Sequence, residues 1–98
     1  TKINTVKIKQ GMILSNEPGY YKKNNYGIRI ENLVYVNKKN KNLFFENLTM
    51  VPIENDLINF DLLTKAEKNY LFKYNLDVYL KISRYLRSDE RKWLASFI

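Results

Sequence analysis

The 98 residues contain no cysteine and no histidine, and only two prolines and three glycines. Without cysteine there are no disulfides and no thiolate metal sites, a composition at ease in the reducing cytoplasm. Without histidine, no imidazole can serve here as metal ligand or proton acceptor. Long apolar stretches are also absent: the longest uninterrupted run is Leu33 to Val36. A membrane helix needs roughly 20 such residues, so no membrane span is expected. No signal peptide, internal repeat or low-complexity segment is recognisable. A chain of this length makes one small domain, or part of a larger one, with a modest core.

Acidic residues are few, ten against 17 basic ones, which leaves a formal charge of +7. A basic surface with aromatics can bind nucleic acid through phosphate contacts and base stacking. Here the lysines are scattered, in pairs and singly, rather than gathered on one element. The tyrosines alternate with apolar residues at spacings typical of a core. Solvated surface charge is the better reading, and no nucleic-acid partner is expected.

What is present centres on Gly11 to Val36, GMILSNEPGYY followed by a polar turn and YGIRIENLVYV. Apolar runs at Met12–Leu14 and Ile28–Val36 predict paired strands, with Pro18-Gly19 as a breaker and Lys22 to Asn25 as a polar tip. Alternation puts Arg29, Glu31, Leu33 and Tyr35 on one face of the second strand and Ile28, Ile30, Asn32 and Val34 on the other. Glu17 and Glu31 stand out, because a carboxylate in an apolar strand is costly unless a cation or several donors satisfy it. Two readings fit: an ion pair with Arg29 or another base, or convergence of both carboxylates on a hard divalent ion.

Elsewhere, Thr1 to Gln10 reads as an edge strand, and Asn37 to Asn42 as a lysine-asparagine turn. Leu43 to Ile53 is extended, with Phe45, Leu48 and Val51 as packing residues; Glu46 has a surface or pairing role. Thr64-Lys65-Ala66-Glu67 is a capping box. Leu71, Tyr74, Val78, Ile82 and Tyr85 then predict an amphipathic helix to about Leu86. Ser88 can cap a shorter helix with Trp93, Leu94 and Phe97. Packing against the sheet accounts for this apolar stripe, with a dimer contact as the alternative.

Asn16-Glu17-Pro18-Gly19-Tyr20-Tyr21, followed by Gly27-Ile28-Arg29-Ile30-Glu31-Asn32, closely resembles the last part of aminopeptidase P, the Xaa-Pro aminopeptidases of the pita-bread metallopeptidase fold. The resemblance continues through Phe45 to Ile53, and the helical tail resembles the C-terminal extension of the longer, eukaryotic-like branch. It implies an α+β fold, the C-terminal part of a pita-bread (creatinase/aminopeptidase) domain: antiparallel strands followed by a long and a short C-terminal helix. Residues 1–53 would belong to the catalytic domain and 54–98 to the helical extension.

The resemblance further implies hydrolysis of the bond between an N-terminal residue and a following proline. Two divalent ions, manganese expected, would be held by five ligands. Glu17 and Glu31 would be two of these, Glu31 bridging both ions. Arg29 would orient the carboxylates, and Tyr21, ahead of Tyr20, is a candidate for the same polar shell. In the family the other ligands, two aspartates and a histidine, lie upstream of the matching segment. The expectation is therefore a C-terminal piece of a longer cytoplasmic enzyme, or the product of a split or decaying gene. Alone, it would bind metal weakly or not at all and lack peptidase activity. Its partners would be a peptide with proline second, the upstream part of the enzyme, and a second copy in a homodimer. A non-catalytic remnant serving as a folding or dimerisation module is the alternative.

Overall fold

A computed structural model of the chain describes residues 4–98. Five strands come first: β1 (Ile13–Asn16), β2 (Gly19–Lys22), β3 (Tyr26–Arg29), β4 (Asn32–Lys39) and β5 (Asn42–Asn47). Two helices follow, α1 (Lys65–Ile82) and α2 (Ser88–Ala95), with short 3-10 turns at Phe60–Leu62 and Ser83–Tyr85. All strand pairings are antiparallel, so the fold is the expected α+β arrangement of strands, a long helix and a short one. The chain divides into two compact units, Thr1–Thr49 and Met50–Ile98.

In the first unit, β1 pairs with β4 and β2 with β3 in one continuous register. Ile13 faces Tyr35, Asn16 faces Asn32, Gly19 faces Arg29 and Lys22 faces Tyr26. The two pairs are thus one long ribbon whose ladder lapses at Glu17-Pro18 and Ile30-Glu31. The cause is Pro18. Its carbonyl accepts from the Ile30 N–H at 3.2 Å, but a proline has no N–H to return. Pro18-Gly19 is therefore a gap in a ladder and not a reversal, and the single strand expected over Ile28–Val36 is cut in two. The reversal lies at the polar tip, where Asn24 has φ of 57°, a conformation asparagine tolerates.

β4 continues beyond the ribbon to pair with β5, Val36 facing Phe45 and Lys39 facing Asn42. The lysine-asparagine turn is shorter than expected, two residues with Asn40 at φ 57°. The even-numbered face is apolar: Val34 and Val36 are buried, and Leu14, Val34 and Phe45 line a cavity of about 250 Å³. Phe45, Leu48 and Val51, expected to pack, are instead exposed. β5 ends at Asn47 because Leu48 and Thr49 both turn their N–H groups to the Leu33 carbonyl. Of the edge strand expected over 1–10, residues 1–3 lie outside the described residues and 4–10 form no strand. A turn at Gly11, with φ of 88°, starts the ladder only after that segment.

The second unit is built on α1. Thr64 caps it as expected: its hydroxyl accepts from the Glu67 N–H at 3.2 Å, and Glu67 accepts from the Thr64 N–H at 2.8 Å. The i, i+4 pair Tyr74 and Val78 is buried with Leu94 of α2, and Met50, Ile53, Tyr79, Ile82 and Leu86 pack around them. The buried Asn75 is satisfied at both ends of its amide, accepting from the Ile53 N–H at 3.0 Å and donating to the Phe97 carbonyl at 3.1 Å. α1 ends at Ile82 rather than near Leu86, and Tyr85 is exposed. Ser88 is the first residue of α2 rather than its cap; Glu90 instead reaches back to the Arg87 N–H at 2.8 Å.

Candidate metal centre

Continuing the ribbon's register through its gap sets Glu17 opposite Glu31. Because strand side chains alternate, the odd-numbered face then carries Ser15, Glu17, Gly19 and Tyr21 on one strand. Gly27, Arg29, Glu31 and Leu33 face them on the other. All four site residues named from the sequence thus lie on one face of one ribbon.

Two like charges directly across a ladder repel. Arg29 relieves this by contacting both: its Nε lies 3.0 Å from Glu31 Oε2, and its Nη1 lies 3.6 Å from Glu17 Oε2. Tyr21 lies on the same face and acts electrostatically on the same guanidinium. Tyr21 first, and then Glu31 and Glu17, push the Arg29 pKa above its ordinary value, so the arginine stays cationic throughout the working pH range. The side chains remain accessible, 48% exposed for Arg29, 46% for Glu17 and 39% for Glu31. Glu31 is therefore not the buried charge that its apolar sequence context suggests, and solvent or an ion can reach it.

Ser15 was not singled out by its sequence. Its hydroxyl donates to Glu17 Oε1 at 2.8 Å, so each oxygen of that carboxylate has its own partner. The only sequence signal was position: two residues before Glu17 is the same face of the strand. A second polar cluster, with one carboxylate, lies further along this face. Glu46 accepts from the Tyr35 hydroxyl and from Asn37 Nδ2, the latter at 3.0 Å, in the pairing role expected of it. The hydrogen bond to Glu46 raises the Tyr35 pKa above 10.0.

Two opposed carboxylates offer hard oxygen donors, the chemistry that magnesium and manganese prefer. They fit part of such a site. Among the described residues, no group of three or more acidic, histidine or cysteine side chains gathers to complete one.

Comparisons with known proteins bear on this arrangement. The model for metallopeptidase family M24 matches residues 1–38, and that for the C-terminal region of peptidase_M24 matches residues 41–96. A protein of Coprinopsis cinerea named "Probable Xaa-Pro aminopeptidase P" is 45% identical over 101 residues, covering 93% of this chain and 16% of its own length. One of the same name in Sclerotinia sclerotiorum is 40% identical over 99 residues, covering 91% and 16%. Among solved structures, an X-prolyl aminopeptidase from Caenorhabditis elegans matches with a TM-score of 0.84 and 33% identity. The match covers 98% of this chain and 17% of that one, which is described as a cytosolic enzyme with a di-nuclear active site. The chain thus spans about a sixth of the length of the relatives it matches. Among the described residues, no helix is long and apolar enough to cross a membrane.

Proposed function

This chain belongs to metallopeptidase family M24, and from that premise we propose that it supplies the C-terminal part of a cytoplasmic Xaa-Pro aminopeptidase. The observation that carries the reading is the opposed pair Glu17 and Glu31 on one accessible face, with one guanidinium contacting both. In this reading the two carboxylates are ligands for two divalent ions, manganese in the expected case. When bound, such ions supply the Lewis-acid and water-activating chemistry of a dinuclear hydrolase. The substrate is a peptide with proline in its second position.

The chain's own residues have separate tasks. Ser15 and Arg29 each hold one oxygen of Glu17, fixing the plane of the carboxylate before an ion arrives. Arg29 also holds Glu31, so a single side chain sets the spacing of the pair. Its fixed positive charge keeps the two carboxylates together when no ion does so. Tyr21, on the same face of the ribbon, adds to the interactions that hold the guanidinium charged. The remaining ligands come from the part of the enzyme that precedes this segment, which is its obligate partner. The chain alone therefore holds metal weakly and does not turn over substrate.

A second reading has its own observation. Ile28, Ile30 and Phe45 leave the even face of the ribbon exposed at 48%, 45% and 56%. A surface of this kind favours association, including self-association as a non-catalytic module or homodimer. One experiment separates the two readings: manganese-dependent cleavage of an Xaa-Pro peptide by this chain alone and mixed with the preceding segment of a full-length relative. Activity only in the mixture supports the aminopeptidase reading. An assembled but inactive mixture supports the module.

A further inference from the structure

The strand that follows Glu31 is held on both of its edges only from Leu33 onward. On one edge β4 pairs with β1 as far as Asn32, the last step before the gap at Ile30-Glu31. On the other edge its pairing with β5 ends at Val34 and Asn47. Extended by one step, that register sets Leu48 opposite Leu33. The Leu48 N–H donates to the Leu33 carbonyl at 2.8 Å, as a regular antiparallel pair requires. The returning bond is different. The Leu33 N–H donates to the Thr49 hydroxyl, Oγ1, at 2.8 Å, where a ladder would use the Leu48 carbonyl. The Thr49 N–H adds a longer bond to the Leu33 carbonyl at 3.3 Å. Both polar groups of the Leu33 backbone are therefore satisfied by two residues that lie beyond the end of β5.

We propose that Thr49 is a positioning residue for the carboxylate pair: its hydroxyl replaces the missing ladder carbonyl at Leu33 and so fixes the root of the segment that carries Glu31. Leu33 and Glu31 are two residues apart on one face of the same chain segment. From Leu33 back toward β3, no third strand flanks the ribbon among the described residues, and its own ladder lapses at Ile30-Glu31. An unclasped Leu33 would lengthen the stretch held from one edge only, and Glu31 lies inside that stretch. Backbone with few bonds of this kind is the first to open. Threonine suits the task because its β-branched side chain is stiff at χ1, so its hydroxyl is aimed with little loss of entropy. Ser15 and Arg29 contact the carboxylates directly, whereas Thr49 acts on the backbone from which one of them projects. The clasp is a feature of the chain itself; its meaning for metal binding rests on the assignment of Glu31 as a ligand.

Nuclear magnetic resonance on the labelled chain tests this with two variants. Thr49→Val keeps the branched shape and removes the hydroxyl, and Thr49→Ser keeps the hydroxyl. In Thr49→Val, exchange of the Leu33 amide speeds about two- to tenfold, as loss of one hydrogen bond predicts. The cross-ribbon contact between the α-protons of Glu17 and Glu31 weakens severalfold in the same variant. The amides of the Tyr20–Ile28 pair and of α1 stay unchanged and show the rest of the chain intact. Thr49→Ser restores both readings to those of the parent. The manganese concentration that half-broadens the Glu31 signals rises severalfold in Thr49→Val and returns in Thr49→Ser. Unaltered Leu33 exchange in Thr49→Val would overturn the clasp. Faster exchange with an unchanged Glu17–Glu31 contact would overturn the positioning role, as would equal losses in both variants. Manganese added to the parent chain reports separately on the ligand assignment. Absence of selective broadening at Glu17 and Glu31 there would sink that assignment, while the metal-free readings still decide the clasp.

Discussion

The two units of this chain are equal in length, at 49 residues each, and are held together by different means. Met50–Ile98 has a core of its own, with Tyr74, Val78 and Leu94 buried around a fully bonded Asn75. Its helices start at capping boxes or their close equivalents. In Thr1–Thr49 only Val34 and Val36 are buried among the hydrophobic residues described, and the unit is held largely by backbone ladders and a few polar pairs. The candidate chemistry belongs to this second kind of structure. A ribbon face free of packing leaves two carboxylates open to an ion, and the cost is an apolar reverse face that its own residues do not cover. The helical unit gains independence and carries no comparable cluster of acidic side chains.

The largest contrast is expected from truncating the helical core. Leu94→Ala should cost about 2–5 kcal/mol, the usual range for a large buried aliphatic. Thermal or denaturant unfolding followed by amide signals should show that loss in residues 50–98, with the ribbon's signals little changed. Equal losses in both units would break the comparison. A smaller effect of the same kind follows from Thr64→Ala, which removes half of the capping box. It should cost about 1 kcal/mol and show first as faster exchange of the amides in the opening turn of α1.

Alkaline pH should expose the ribbon unit instead. Tyr35 is raised above 10.0 in the folded chain by its hydrogen bond to Glu46. The folded state therefore holds that proton more tightly than the unfolded state. The stabilisation is complete below the ordinary tyrosine value and is lost as pH rises through the raised one. Ultraviolet titration should show a late-ionising tyrosine component, and Tyr35→Phe should diminish it. If every tyrosine ionised normally, Glu46 would not hold Tyr35 in solution.

These differences also explain what could be read from the sequence. Thr64 to Glu67 was legible because a capping box is satisfied within four residues. The pairing of Glu17 with Glu31 was suggested by their motifs, and the alternation of strand side chains correctly grouped Arg29 with Glu31. The ladder gap was not legible. Pro18 looks like a turn, and its effect on Ile30 appears only once the register of the opposite strand is known. The role of Ser15 was hidden for the same reason, since its contact with Glu17 appears only once the strand is built. The exposure of Phe45, Leu48 and Val51 was also hidden, because periodicity identifies an apolar face without saying what covers it.

The central claim is that metal chemistry in this chain belongs to the odd face of the ribbon. The most direct measurement is a manganese titration of the labelled chain, followed by paramagnetic line broadening. Broadening should begin at residues around Glu17 and Glu31, before Asp61, Asp77 or the other acidic side chains, and should disappear in Glu17→Gln and Glu31→Gln. Broadening spread evenly over all carboxylates, unchanged by those substitutions, would contradict it.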